Sequence, residues 1–216
     1  MKKNMVNSFA NIRKDYLKNT LDEKQIDKDP LRQFQKWMEE AINSGVDEPT
    51  AMVLSTVSEK GFPSSRVVLL KEATSEGFVF FTNYNSRKGR HLEHNPNAAL
   101  LFFWKEPERQ VRIEGSIKKI EDSESDAYFY NRPEESRINA IISPQSEKVS
   151  DRSELEQLRN DFISSKAEIK RPGHWGGYIL KPKYFEFWQG REGRLHDRII
   201  FCPGHEDRWK ISRLAP

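Results

Sequence analysis

Hydrophobic positions along the chain change period once, near residue 50. Before that point Phe34, Trp37, Met38, Ala41 and Ile42 recur at helical spacing. Asp29 and Pro30 suit the start of this helix and Gly45 its end, so the pattern predicts a helix with one face packed on a core. After it come AMVLSTV, SRVVLLKEA, GFVFFTN, AALLFFWK and RQVRIEGSIKKI, short β-branched or aromatic runs separated by turn residues. These predict five strands. Only the connection SRKGRHLEHNP is long and polar enough for a short helix, so most neighbouring strands should pair antiparallel and close into a barrel.

Residues 122–168 lose the strand pattern. SESDAYFYNRP, EESRINAIIS and the charged stretch from Asp151 to about Ala167 predict a helical cover. Strands resume with GGYILKP, YFEFWQG, HDRIIFC and RWKISRLAP, which should complete the same sheet. Residues 1–28 are polar with scattered apolar positions and read as a flexible arm. The expectation is one domain over 29–216, mainly β with peripheral helices.

Composition narrows the function less than the pattern does. Of 216 residues, 36 are Lys or Arg and 33 Asp or Glu, so a formal charge of +3 does not by itself argue for a nucleic acid or a membrane. A lone cysteine, Cys202, leaves no intramolecular disulfide and fits a reducing cytoplasm. No run approaches the ~18 apolar residues of a membrane span and no signal-peptide core stands out, so neither export nor insertion is expected.

Local charge says more. Arg66 and Lys71 bracket the apolar run VVLL, where snorkelling to solvent is the plain reading and a bound anion the functional one. In Tyr84-Asn85-Ser86-Arg87-Lys88-Gly89, Asn85 or Ser86 can cap a helix whose free amides face the same place as two cations. Those cations oppose the helix dipole unless an anion such as phosphate joins them. In Trp188 to Arg198, an extended segment would put Arg194, His196 and Arg198 on one face, again favouring an anionic ligand unless Asp197 neutralises them. Tyr128, Arg132 and Ser136 stand at i, i+4 and i+8 and could clamp a phosphate, although Pro133 interrupts a continuous helix. The histidines show no metal-ligand spacing, and GxGxxG after a strand, GxxxxGK[ST] and GxSxG are absent.

RVVLLK, FFTNYNSRKGRHLEHNP, ERQVRIEG, YFYNRPEESR, SPQS, HWGGY and FWQGREGRLHDR, closing with RLAP, resemble in order the pyridoxamine 5'-phosphate oxidase family from about Asp29 to Pro216. The resemblance implies a split β-barrel acting as a homodimer, with FMN in each of two sites built from both subunits. It implies that Arg66, Arg87 and Lys88 meet the FMN phosphate and ribityl chain. Thr82, Phe81 and the segment Val67, Val68, Leu69, Leu70 and Lys71 stand nearby, and Gln110, Gln145, Ser146, Trp188 and Arg198 complete the flavin contacts.

The same resemblance places the substrate phosphate among Lys71, Tyr128, Arg132 and Ser136, with Arg194 and His196 over the pyridine ring as the catalytic pair. The implied reaction oxidises pyridoxamine or pyridoxine 5'-phosphate to pyridoxal 5'-phosphate, with dioxygen as acceptor. Arg13 and Tyr16 match a substrate-covering arm, but NTLDEKQIDKDP departs from the basic, Gly-containing pattern and gives arm gating no support. A non-catalytic flavin or pyridoxal-phosphate binder, a flavin reductase and an RNA-binding barrel are the competing readings. The complete set of clamp residues weighs against the binder and the near-neutral charge against the RNA-binding barrel, while a flavin reductase would take reduced nicotinamide as electron donor.

Overall fold

The computed structural model describes residues 16–205 and 208–216. Helix α1 (Pro30–Asn43) begins where Asp29 accepts the Leu31 N–H, and the chain turns away at Gly45 with φ of 73°. Phe34, Trp37 and Ala41 are buried as the spacing predicts. Ile42, expected on the same face, is exposed.

Strands β1 (Ala51–Val57), β2 (Pro63–Leu69), β3 (Glu72–Thr74), β4 (Gly77–Asn83), β5 (Asn97–Trp104) and β6 (Arg109–Lys119) follow the expected order, with α2 (Arg87–His94) after β4. Helices α3 (Asp122–Tyr130), α4 (Glu134–Ile142) and α5 (Arg152–Ser164) form the cover, and β7 (Trp175–Gln189), β8 (Asp197–Pro203) and β9 (Trp209–Leu214) complete a nine-stranded antiparallel sheet. Along the path β2-β1-β5-β6-β7-β4-β3, β2 and β3 are two parts of one predicted run. The chain changes partner between them: Leu70 N–H bonds Thr50 O and Lys71 N–H bonds Val79 O. That corner curls the sheet on itself.

The two predicted strands GGYILKP and YFEFWQG are one strand, β7. Its first half pairs β4, its second half pairs β8, and its other edge follows β6 from Tyr178 to Gln189. Gly115 lies opposite Pro182 and Glu114 opposite Tyr184, so Lys183 is an extra residue that bends the strand without ending it. Gly115 permits the bend, since a Cβ there would stand 2.1 Å from the Lys181 carbonyl oxygen.

Inside the curl lies an aromatic core. Phe34 meets Phe78 and Phe102 with centroids 5.0 Å apart, and Trp37 packs edge-on to Phe187 at 5.2 Å. Among the described residues no helix is long and apolar enough to cross a membrane.

The N-terminal segment differs from its expectation. Residues 16–28 do not stand off as part of a flexible arm: Leu21 and Ile26 are buried in the core cluster. Glu108 accepts the Leu17 and Lys18 amides, and Asp197 accepts the Leu21 amide. Residues 1–15, the rest of that arm, lie outside the described residues. Replacing Leu21 with Ala should destabilise the fold by about 2–3 kcal/mol, read by urea or thermal unfolding of the ligand-free protein. A loss below about 0.5 kcal/mol would show that the segment contributes only as surface.

Candidate functional site

A first group of polar residues gathers where β1, β2, β4 and α2 meet. Arg66 points inward from β2, and its guanidinium bonds Leu54 O at 2.9 Å, Thr56 Oγ1 at 2.9 Å and Ser64 Oγ at 2.6 Å. Lys88, in the first turn of α2, donates to Gln145 Oε1 at 2.8 Å and Thr82 Oγ1 at 3.1 Å. Ser86 rather than Asn85 caps that helix, its Oγ accepting the Gly89 N–H. His91, buried one turn on, meets Thr56 Oγ1 at 3.0 Å.

Among the described residues, all the hydrogen-bond partners of Arg66 and Lys88 are neutral oxygens. The electrostatics follow from that. Burial and the Arg66 charge lower Lys88 to about 8, and burial with the Arg87 charge lowers Arg66. His91 is lowered by burial and then by Arg87, Arg66 and Arg90. Each shift comes first from burial and then from neighbouring cations, with no carboxylate opposing it, which suits an anion site at a helix N-terminus. Sequence reasoning found Arg66, Arg87 and Lys88 but missed Thr56, Ser64 and His91, which lock Arg66. The alternation of β1 and β2 places Thr56 and Ser64 on the Arg66 face, and that was the available signal.

A second group lies by Phe81. Tyr128 of α3 stacks on Phe81 at 3.8 Å between centroids, with Trp175 parallel to both. Lys71 Nζ stands 6.0 Å from the Tyr128 ring centre, and the Arg132 guanidinium lies 4.6 Å over Trp175. Pro133 does break the helix: Arg132 falls between α3 and α4, and Ser136 lies in the first turn of α4. Arg132 Nη1 is buried without a hydrogen-bond partner among the described residues, and burial lowers its pKa. A buried donor left unpaired is a place where an acceptor from outside the chain can bind, and Arg137 and Arg159 each bury such a nitrogen as well.

The third group is at the far end of β7. Gln110, Trp188 and Arg198 are directly opposite one another across β6, β7 and β8. The expectation that Arg194, His196 and Arg198 share one face of an extended strand is overturned. Glu192–Arg194 form a 3-10 turn in which Gly193 and Arg194 both have φ of 63°, and β8 starts only at Asp197. Arg198 carries its own counter-charge, since Glu186 accepts from it at 2.8 and 3.1 Å and from Arg112 at 2.9 Å. Burial pushes the Glu186 carboxyl up, but these cations prevail and hold it below its ordinary value.

Arg194 is exposed at the turn. His196 packs on Trp188 at 4.7 Å, and Tyr16 lies edge-on to both rings. Burial and then Arg194 lower the His196 pKa, against an opposing pull from Asp197. Gly190 leaves room for Tyr16, whose Cγ would come within 2.6 Å of a Cβ. Arg13, the other expected arm residue, lies outside the described residues.

Thr82 pairs with Gly176, whereas Trp188 is twelve residues further along β7, roughly 40 Å of strand at about 3.3 Å per residue. The first two groups and the third therefore occupy opposite ends of one strand.

A family model described as pyridoxamine 5'-phosphate oxidase matches residues 38–158, and one described as the pyridoxine 5'-phosphate oxidase C-terminal dimerisation region matches 175–216. The pyridoxine/pyridoxamine 5'-phosphate oxidase of Trichormus variabilis is 50% identical over 214 residues, covering 98% of this chain and all of that one. The Cupriavidus metallidurans protein of the same name is 50% identical over 209 residues, covering 96% and 99%. Among solved structures, PhzG from Burkholderia lata in complex with tetrahydrophenazine-1-carboxylic acid matches with TM-score 0.86 at 30% identity, over 93% of this chain and 99% of that one. An FMN-binding protein from Nostoc punctiforme shares the fold, with TM-score 0.67 at 16% identity, over 88% and 100%.

Lys88 sets a pH dependence. Below about 8 it is protonated before a phosphate arrives, so affinity for a phosphate-bearing ligand should be flat there. Above that value binding must recover the proton, and affinity should fall by up to about tenfold per pH unit. Titrating the ligand-free protein with FMN from pH 7 to 9 reads this directly, and Lys88→Met should abolish the slope while weakening binding throughout.

Proposed function

Because the chain belongs to the pyridoxamine 5'-phosphate oxidase family and is an oxidoreductase of that family, we propose that it oxidises pyridoxamine or pyridoxine 5'-phosphate to pyridoxal 5'-phosphate in vitamin B6 supply, with FMN as cofactor. The observation that carries this reading is a pair of separate cation groups, one on Arg66 and Lys88 and one on Arg132, neither of which has a carboxylate in hydrogen-bond contact among the described residues. Two such groups suit two phosphate-bearing molecules held side by side, a cofactor and a substrate.

The residues fit FMN. Arg66, Arg87 and Lys88 would neutralise its phosphate, and Thr82 and Gln145 would turn their hydrogen bonds toward it. Val67 to Leu70 and Phe81 lie alongside, and Ser146, at φ of 74°, follows Gln145 in a strained turn. Bound there, FMN would supply the acceptor for the hydride lost from substrate C4', with dioxygen as final oxidant and hydrogen peroxide as product. Lys71, Tyr128, Arg132 and Ser136 hold the substrate phosphate. Binding energy at that remote group fixes the pyridine ring for reaction.

Gln110, Trp188, Arg198, Arg194 and His196 are too far along β7 to join this site from the same chain, so a second copy supplies them in a homodimer. The C-terminal dimerisation region covers β7 to β9, which carry most of this group. Arg194 then orients the substrate and stabilises developing charge, and His196 hydrogen-bonds it. A single free, half-buried cysteine suits a cytoplasmic setting. The carboxylate-bearing ligand of the PhzG relative offers a second substrate class, but the two full-length relatives at 50% identity and the phosphate-sized set around Arg132 favour the B6 ester.

Purified protein should show flavin absorbance and, with pyridoxamine 5'-phosphate in air, form pyridoxal 5'-phosphate and peroxide together. Bound flavin with neither product would support a binding protein instead. Arg194→Ala should lose turnover while retaining FMN, and Arg132→Met should raise KM for the phosphorylated substrate about tenfold, the scale of one lost charge-assisted hydrogen bond. Equal loss of FMN and turnover in Arg194→Ala would refute the division of roles.

A further inference from the structure

One carboxylate ties together three segments around His196. Asp197 accepts the Leu21 N–H at 3.0 Å, Arg191 Nη1 at 3.1 Å and Arg213 Nη1 at 2.6 Å. Behind it, Arg213 is held by both oxygens of Glu23, at 2.6 and 2.8 Å, and donates to Leu21 O at 3.0 Å. The N-terminal segment, the 3-10 turn and β9 therefore converge on one residue.

The backbone of Arg191 faces the other way. Its N–H donates to His196 Nδ1 at 3.1 Å. A ring nitrogen that accepts from an amide cannot also carry the proton of the neutral ring, so that proton resides on Nε2. Nε2 has no hydrogen-bond partner among the described residues. Trp188 supports one side of the ring, and Tyr16, placed by the amides that follow it, supports another.

We propose that Asp197 is a positioning residue which, by holding Arg191, presents His196 to the substrate as an Nε2–H hydrogen-bond donor. Asp197 touches no substrate in this arrangement. It fixes the turn from which the Arg191 amide reaches the imidazole, and its ion pair with Arg213 fixes Asp197 in turn. The charged and titratable groups facing the ring are Arg194 of the turn, Asp197 of β8 and Tyr16 of the N-terminal segment. Carboxylic substrates as well as phosphate esters could use such a donor; the assignment to the pyridine ring rests on the reading above.

The test uses FMN-loaded protein labelled with 15N-histidine, with the His196 signal identified by its loss in His196→Gln. Wild type should show His196 as the Nε2–H tautomer. Asp197→Asn should populate both tautomers and raise KM for pyridoxamine 5'-phosphate about tenfold, with FMN affinity unchanged. Should that variant not fold, Arg191→Ala keeps the Leu21 and Arg213 contacts and should move the tautomer and KM in the same direction. An Nδ1–H ring in wild type, or both variants leaving tautomer and KM as they were, overturns the proposal. So does a loss of FMN with unaltered turnover per bound flavin, which marks a merely structural role. A tautomer change in a protein that does not oxidise the B6 ester would sink the proposed reaction and leave the positioning role standing.

Discussion

Strand β7 must satisfy β6 along one edge and two different partners along the other, and this requirement shapes the molecule. A straight strand could not turn from β4 to β8 without leaving the first sheet. The extra residue Lys183 and the Cβ-free position Gly115 provide the bend, so that fifteen residues remain one hydrogen-bonded strand. The candidate groups gather near its two ends. Gly176 lies opposite Thr82 of the Arg66 and Lys88 group, and Trp188 lies between Gln110 and Arg198.

The chain handles buried charge in two opposite ways. At Arg198 a buried carboxylate, Glu186, is shared with Arg112 and Tyr184, so the network is satisfied and holds three strands together. Among the described residues, the cations at Arg66, Lys88 and Arg132 meet only neutral oxygens, an aromatic face or nothing. Such an arrangement costs stability, and it persists where the missing counter-charge arrives as a ligand. The contrast separates an arginine whose charge is met within the sheet from arginines whose charge is not.

Much of the fold was legible because its signals are local. AMVLSTV and GFVFFTN coincide with β1 and β4, and Asp29 with Pro30 fixed the start of α1. The failures have physical causes. Lys181, Pro182 and Lys183 read as a break in β7, whereas a bulge keeps the pairing through a polar stretch. Leu21 and Ile26, isolated apolar residues among charges, gave no period; burial in the core cluster holds both, and β8 and β9 bond Leu21. The candidate site was legible as residue types, but its supporting contacts were not. Period two from Arg194 to Arg198 failed because Gly193 and Arg194 adopt left-handed backbone, and Glu186 is invisible as a partner until β7 and β8 pair.

The length of β7 between the two halves of the site has a genetic meaning. If each site draws one half from each copy, a subunit defective at Arg66 and a subunit defective at Arg194 are not equally dead together. In their mixed dimer both lesions fall in the same site, and the other site is assembled entirely from sound halves. Two inactive alleles of this gene would then complement each other inside a single assembly, whereas two lesions from the same half would not.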